Sequence, residues 1–125
     1  MKWLISLMVS FSVYGQSVEC LGFGSERTFE LSAELEESGS SYLDAFVDLK
    51  VFNQGVEVFN KKRIDSTGLF SIGTINSVQV FLAELRPLDR KSYTFLSMAI
   101  NHPRPSGNSF LIYKDETYLA ECFEK

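Results

Sequence analysis

This sequence is poor in the residue types that build active sites and metal centres. It contains one histidine, His102, and two cysteines, Cys20 and Cys122. A structural zinc ion takes four ligands, and only His102 could join the two distant cysteines. The C-x-x-C spacing of a redox dithiol is absent. No nucleophile elbow, calcium loop or phosphate loop occurs either. We therefore predict no metal, no cofactor and no catalytic residue, and a protein that is not an enzyme.

Long apolar runs are also missing. The longest apolar stretch at the start of the chain covers residues 3–13, well short of the roughly 20 residues that a membrane-spanning helix needs. Lys2 precedes this stretch, and residues 13–15 suit a signal peptidase, so residues 1–15 are predicted to be an export signal. Residues 16–125 would then form a single exported domain, periplasmic or secreted, with no membrane span.

Positive charge is scarce. Without Lys2, eleven Lys and Arg residues face sixteen Asp and Glu residues, a net charge of −5. A nucleic-acid binder normally has a basic face, so we predict no nucleic-acid partner. The basic run at residues 61–63, with Arg86, Arg90 and Lys91 elsewhere, could meet an anionic glycan or an acidic partner, or could simply be a solvated strand edge.

The two cysteines predict one intramolecular disulfide, because an exported chain is exposed to an oxidising environment. Cys20 lies near the start of the predicted domain and Cys122 near its end. Closing a loop of roughly 100 residues stabilises a fold by up to about 4.7 kcal/mol in the chain-entropy model. The bond would also hold the first strand beside the last.

Alternation of apolar and polar residues indicates β-strands along the whole domain. It is most regular in residues 42–52, where one face carries Leu43, Ala45, Val47, Leu49 and Val51. Phe29, Leu31, Ala33 and Leu35 alternate similarly, although Glu, Leu and Ala also favour helix. Further strands are predicted at residues 18–23, 56–64, 69–75, 78–85, 92–100, 109–114 and 117–123. Residues 65–68, Asp-Ser-Thr-Gly, are among the predicted turns. The pattern predicts an all-β fold, a single small antiparallel barrel or sandwich of about eight strands.

Two predicted loops carry residues suited to recognition. In the first, prolines flank Arg104 and follow His102, and they would reduce the entropy lost on docking. The second is a serine-rich turn that contains Ser38, Gly39 and Tyr42. Each loop could equally be a plain connection between strands.

Aromatic residues are abundant, with eleven Phe and five Tyr. Under strict alternation Phe46, Phe52, Phe81, Tyr93 and Phe95 cannot all face one inner surface. Some are therefore expected in an exposed apolar patch, in a lined barrel interior or under a second sheet.

Residues 38–42, Ser-Gly-Ser-Ser-Tyr, resemble the S-G-x-x-Y loop of small exported barrel-type inhibitors of C-type lysozyme. That family also carries a disulfide near the chain ends, and residues 113–122 resemble its last strand and final cysteine. The resemblance covers about a quarter of the chain, and the family's loop lies closer to the final cysteine than residues 38–42 do. It implies one alternative function, a loop that enters a lysozyme cleft, and does not place the chain in the family.

We predict a small exported domain that acts as a non-catalytic binding module for a protein or glycan partner. One alternative is an exported inhibitor of a lysozyme-like or proteolytic hydrolase. A second is a small-ligand carrier that uses a barrel interior, and a third is an enzyme that depends on His102. The sequence predicts no oligomeric state.

Overall fold

A computed structural model describes residues 16–101 and 109–125. The predicted export signal and the predicted binding residues His102 and Arg104 lie outside the described residues. Antiparallel strands form 81% of the described chain. They are β1 Gln16–Phe23, β2 Arg27–Gly39, β3 Tyr42–Asn53, β4 Val56–Ile75, β5 Val78–Pro87, β6 Phe95–Ile100, β7 Ser109–Tyr113 and β8 Glu116–Glu124. Each strand pairs with the next and β8 pairs with β1, so the sheet is a closed barrel. The all-β prediction is confirmed, and of its two forms the barrel is the one observed.

The seam that closes the barrel is the β1–β8 pair. Its register runs from Val18 opposite Glu124 to Phe23 opposite Leu119, and it places Cys20 directly opposite Cys122. The two cysteines are joined in a disulfide, with their Cα atoms 4.1 Å apart. The predicted pairing, and its position between the first and last strands, are both confirmed.

The predicted inner faces of β2 and β3 form one side of the core. All nine of their alternating apolar residues are buried, from Phe29 to Leu35 and from Leu43 to Val51. Strands β5 to β8 complete the core from the other side, with Phe81, Leu85, Leu96, Met98, Leu111 and Tyr118 among their buried residues. Side chains therefore fill the interior of the barrel, as in other small eight-stranded barrels.

One predicted turn is wrong. Residues 65–68 continue β4, which runs unbroken from Val56 to Ile75. Ile64 and Ser66 point into the barrel and are buried, whereas Asp65 is exposed, so the segment alternates as a strand does. Gly68 is needed for close packing against β5, not for a turn. Strand β6 also begins at Phe95 rather than at the predicted residue 92.

A β-bulge explains how β4 keeps its inner face over such a length. Between Val47 and Leu49 on β3, the partner strand advances from Ile64 to Lys61, which is one extra residue. Arg63 at this point has a φ of 56°, and its backbone N–H donates to Asp48 Oδ1 at 2.8 Å. An extra residue shifts the alternation, so β4 residues on both sides of the bulge reach the core.

Two hairpins lie at one end of the barrel. In the β2–β3 hairpin the strands stay paired as far as Gly39 opposite Tyr42. The β4–β5 hairpin continues beyond β3, to Ile75 opposite Val78. Within the described residues no helix is long and apolar enough to cross a membrane.

Candidate functional site

Three of the five sequence-predicted binding residues lie together at one end of the barrel. Ser38, Gly39 and Tyr42 lie at the tip of the β2–β3 hairpin, and Tyr42 is 57% exposed. Asn101 and Ser109, which flank the other predicted loop, lie at this same end, because β6 finishes and β7 starts there. The alternating strand directions decide this juxtaposition, which the sequence pattern alone did not indicate.

A continuous apolar surface lies on the outside of the barrel, across β6, β7, β8 and β1. We call it the apolar wall, and it consists of Phe95, Phe110, Leu119, Phe23 and Leu21. Phe23 is directly opposite Leu119, and Leu119 is directly opposite Phe110. The Phe110 ring centroid lies 5.8 Å from that of Phe95. Directly opposed side chains on one sheet face touch, so the wall is one contiguous patch.

The apolar wall is open to solvent at its β1–β8 half. Phe23 is 61% exposed, and Leu21 and Leu119 are each 49% exposed. A shallow cavity of about 350 Å³ lies among these three residues, Thr28 and Glu121. The β6–β7 half is flatter, with Phe95 and Phe110 partly buried. The apolar wall therefore has a shallow exposed cavity at its β1–β8 half and two partly buried aromatic rings at its β6–β7 half.

Charged groups border the apolar wall on two sides. The Arg86 guanidinium lies over the Phe95 ring, 4.8 Å from its centroid. Glu121 is directly opposite Leu21 in the β1–β8 register. The wall itself offers only hydrocarbon side chains, and each of the four strands that carry it is paired with both of its neighbours.

Sequence reasoning found the aromatic excess but not the wall. Of its members only Phe95 belonged to the aromatic set singled out from the sequence. Phe23, Phe110 and Leu119 come together through pairings that link the two ends of the chain. Alternation showed that each residue occupies one face of a strand, but the row they form depends on the register between strands.

At the opposite end of the barrel from the β2–β3 and β4–β5 hairpins, Asp89 fixes the β5–β6 connection. Its Oδ1 accepts hydrogen bonds from the backbone N–H groups of Lys91 at 2.8 Å and Ser92 at 3.0 Å. Its Oδ2 accepts from the Ser92 hydroxyl at 2.5 Å and from Lys61 Nζ at 3.0 Å. The hydroxyl bond first, and then the two N–H groups and Lys61, lower the pKa of Asp89 well below its usual range.

The described residues form no cluster that could hold a metal ion, since no three of their His, Cys, Asp or Glu side chains come together. The larger cavities among the described residues open on the outer surface rather than in the packed interior.

Comparisons with protein-family models, with curated proteins and with solved structures found no match.

Proposed function

We propose that this protein is a non-catalytic binding module that recognises a protein partner through the apolar wall. The observation that carries the proposal is the row from Phe95 through Phe110 and Leu119 to Phe23, which is contiguous and exposed at one end. Exposed apolar patches on small proteins mark interaction sites. Aromatic side chains are also enriched in protein interfaces.

A protein fits this surface better than a glycan does. A glycan needs hydrogen-bonding groups opposite its hydroxyls, whereas Phe23, Leu21 and Leu119 offer none. An apolar partner surface gains about 1 kcal/mol for each of these side chains whose exposed half it covers. The disulfide is consistent with an oxidising compartment, so we propose that the encounter takes place outside the cytoplasm.

The experiment compares capture by four forms of the purified protein. Extracellular or envelope extract of the producing organism is passed over wild type, Phe23→Ser, Leu119→Ser and the control Val58→Ser. Val58 is 52% exposed on β4, away from the wall, and so matches Leu119 in exposure. We expect wild type and the control to retain the same protein and the two wall variants to lose it.

Circular dichroism and thermal melts establish that all four forms are folded. Retention of the same partner by both wall variants would contradict the proposal. So would capture of only those proteins that the bare resin also retains.

A second candidate function is inhibition of a hydrolase, which the β2–β3 hairpin favours. Its strands stay paired up to Gly39 opposite Tyr42, so a tight turn of two residues, 40 and 41, forms a narrow tip. A narrow tip with an exposed Tyr42 has the shape to enter a cleft. We expect wild type to slow a lysozyme-like enzyme or a protease at micromolar concentration and Tyr42→Ala to lose that effect. Unchanged hydrolysis across a panel of both enzyme classes would remove this candidate.

A further inference from the structure

A second surface site lies where β5 leads into the connection to β6. A cavity of about 450 Å³ opens there between Arg86 and Arg90, with Pro87, Leu88 and Thr94 also in its lining. This volume is within the range of small-molecule pockets, about 300–1,000 Å³. The site contains two cations in a protein whose net charge is negative.

Neither arginine has a carboxylate partner among the described residues. The ion pairs of that part of the chain join Lys61 to Asp89 and Lys125 to Glu19. Asp89 is the one acidic residue of the β5–β6 connection, and Lys61, Ser92 and Lys91 already engage its carboxylate. No carboxylate lines the cavity.

The acidic residues on the outer face near Arg86 form no ion pair with it. Glu84 precedes Arg86 by two residues on the same exposed face of β5, and Asp65 lies diagonally across on β4. Asp44 is further away, because Thr67 lies between it and Arg86 in a single cross-strand row. Arg86 is instead supported by the Phe95 ring beneath it. An arginine that stacks on an aromatic face still presents the edge of its guanidinium to a ligand.

Arg90 is held in place by the local backbone. Its N–H donates to the Pro87 carbonyl oxygen at 3.2 Å, and its φ of 59° is uncommon for a residue other than glycine. No ion pair of the described chain accounts for a cation there.

The protein contains an internal comparison for this site. Arg63 also lies over a phenylalanine, 4.4 Å from the centroid of the Phe46 ring. The cavity beside Arg63, however, is lined by Glu34 and Asp48, and the backbone N–H of Arg63 donates to the Asp48 carboxylate. The two arginine–phenylalanine pairs thus differ in their cavities: carboxylates line the cavity beside Arg63, and none lines the cavity beside Arg86.

We propose that the Arg86–Arg90 cavity binds a small organic oxyanion, a carboxylate, sulfate or phosphate monoester carried on an apolar body. The two guanidinium groups donate to the oxyanion, since their planar N–H edges match carboxylate and phosphate oxygens. The apolar body packs on Pro87 and on Leu88, which is 63% exposed. This site is separate from the protein-binding function proposed for the wall.

In the test, the protein without its predicted export signal, residues 16–125, is titrated with 2-naphthoate and with the neutral isostere 2-naphthamide. NMR chemical shifts report the binding of each compound. We expect naphthoate to shift the resonances of Leu88 and Thr94 and naphthamide to leave them in place. Arg86→Gln and Arg90→Gln should each weaken naphthoate binding at least tenfold. The control Arg63→Gln and the wall variant Phe23→Ser should bind it as wild type does.

Three results would overturn the proposal. One is no binding of naphthoate up to about 10 mM, a concentration at which even a weak site with an affinity near −4 kcal/mol would be occupied. Another is equal binding of the amide and the carboxylate. The third is unchanged binding by Arg86→Gln and Arg90→Gln, with both variants shown to be folded by circular dichroism.

Discussion

At the scale of single residues, Asp89 decides the shape of the β5–β6 connection. Its carboxylate accepts four hydrogen bonds, so Asp89→Asn should lower the free energy of unfolding at pH 7 by about 1 kcal/mol. Because the folded pKa lies below the unfolded value of roughly 4, this contribution is present at neutral pH and disappears as the pH falls through the folded pKa. The loss begins below about pH 4, so urea unfolding of both proteins from pH 7 down to pH 2 should show the penalty of the substitution shrinking.

Glu121→Gln is the matched neutralisation for this experiment. Glu121 has no hydrogen bond or ion pair to another described residue, so its replacement should change stability by less than about 0.5 kcal/mol. An Asp89→Asn penalty that stayed constant down to pH 2, or equalled that of Glu121→Gln, would show that the ionised carboxylate does not hold the connection.

At the scale of elements, the long strand β4 depends on a glycine where it crosses β5. A Cβ at Gly68 would overlap the Glu84 carbonyl oxygen and lie 3.1 Å from the Leu85 Cα, and neither backbone atom can move without breaking the β4–β5 pairing. Gly68→Ala should therefore cost about 3 kcal/mol or more in unfolding free energy. Gly73→Ala on the same strand is the control, because a Cβ there meets nothing within 4 Å.

Chemical denaturation of the two alanine variants separates two effects on stability. One is the steric overlap of a new Cβ with β5, and the other is the reduced backbone entropy of the unfolded chain. Gly73→Ala should be neutral or stabilise by up to about 1 kcal/mol, since alanine restricts the unfolded chain. Equal stability of the two variants would mean that β4 and β5 separate easily at Gly68 and that the close approach is not required.

At the scale of the whole molecule, the disulfide and the β1–β8 pairing close the barrel together. The cysteines are 102 residues apart in sequence, so removing the bond frees a loop that contains nearly all of the described chain. Cys20→Ala with Cys122→Ala should lower the unfolding free energy by about 2–5 kcal/mol and the melting temperature by about 10 °C or more. Reduction of the wild type should match the double variant.

Thiol titration of the denatured, unreduced protein provides the control and should find no free thiol. If the double variant melted at the wild-type temperature, side-chain packing across the seam, from Val18 to Phe23, would be sufficient to close the barrel.

The sequence pattern predicted much of the fold because successive side chains of a strand point to opposite faces of the sheet. Burial of one face therefore appears in the sequence as alternation of apolar and polar residues. The predicted inner faces of β2 and β3 are buried residue by residue, and the two cysteines are paired. The pattern failed at residues 65–68, where Asp, Ser, Thr and Gly have turn propensity. There the neighbours on β3 and β5 supply hydrogen bonds on both sides and override that local preference.

The sequence alone therefore determined the strand class, the inner faces and the disulfide. Each of these follows from the period of two along a strand or from an even cysteine count. Tertiary structure decided that the sheet closes as a barrel, that Phe23, Leu119 and Phe110 form one row, and that Arg86 and Arg90 flank one cavity free of carboxylates. These features depend on register between strands distant in sequence, and a shift of one residue in register would turn every side chain to the other face.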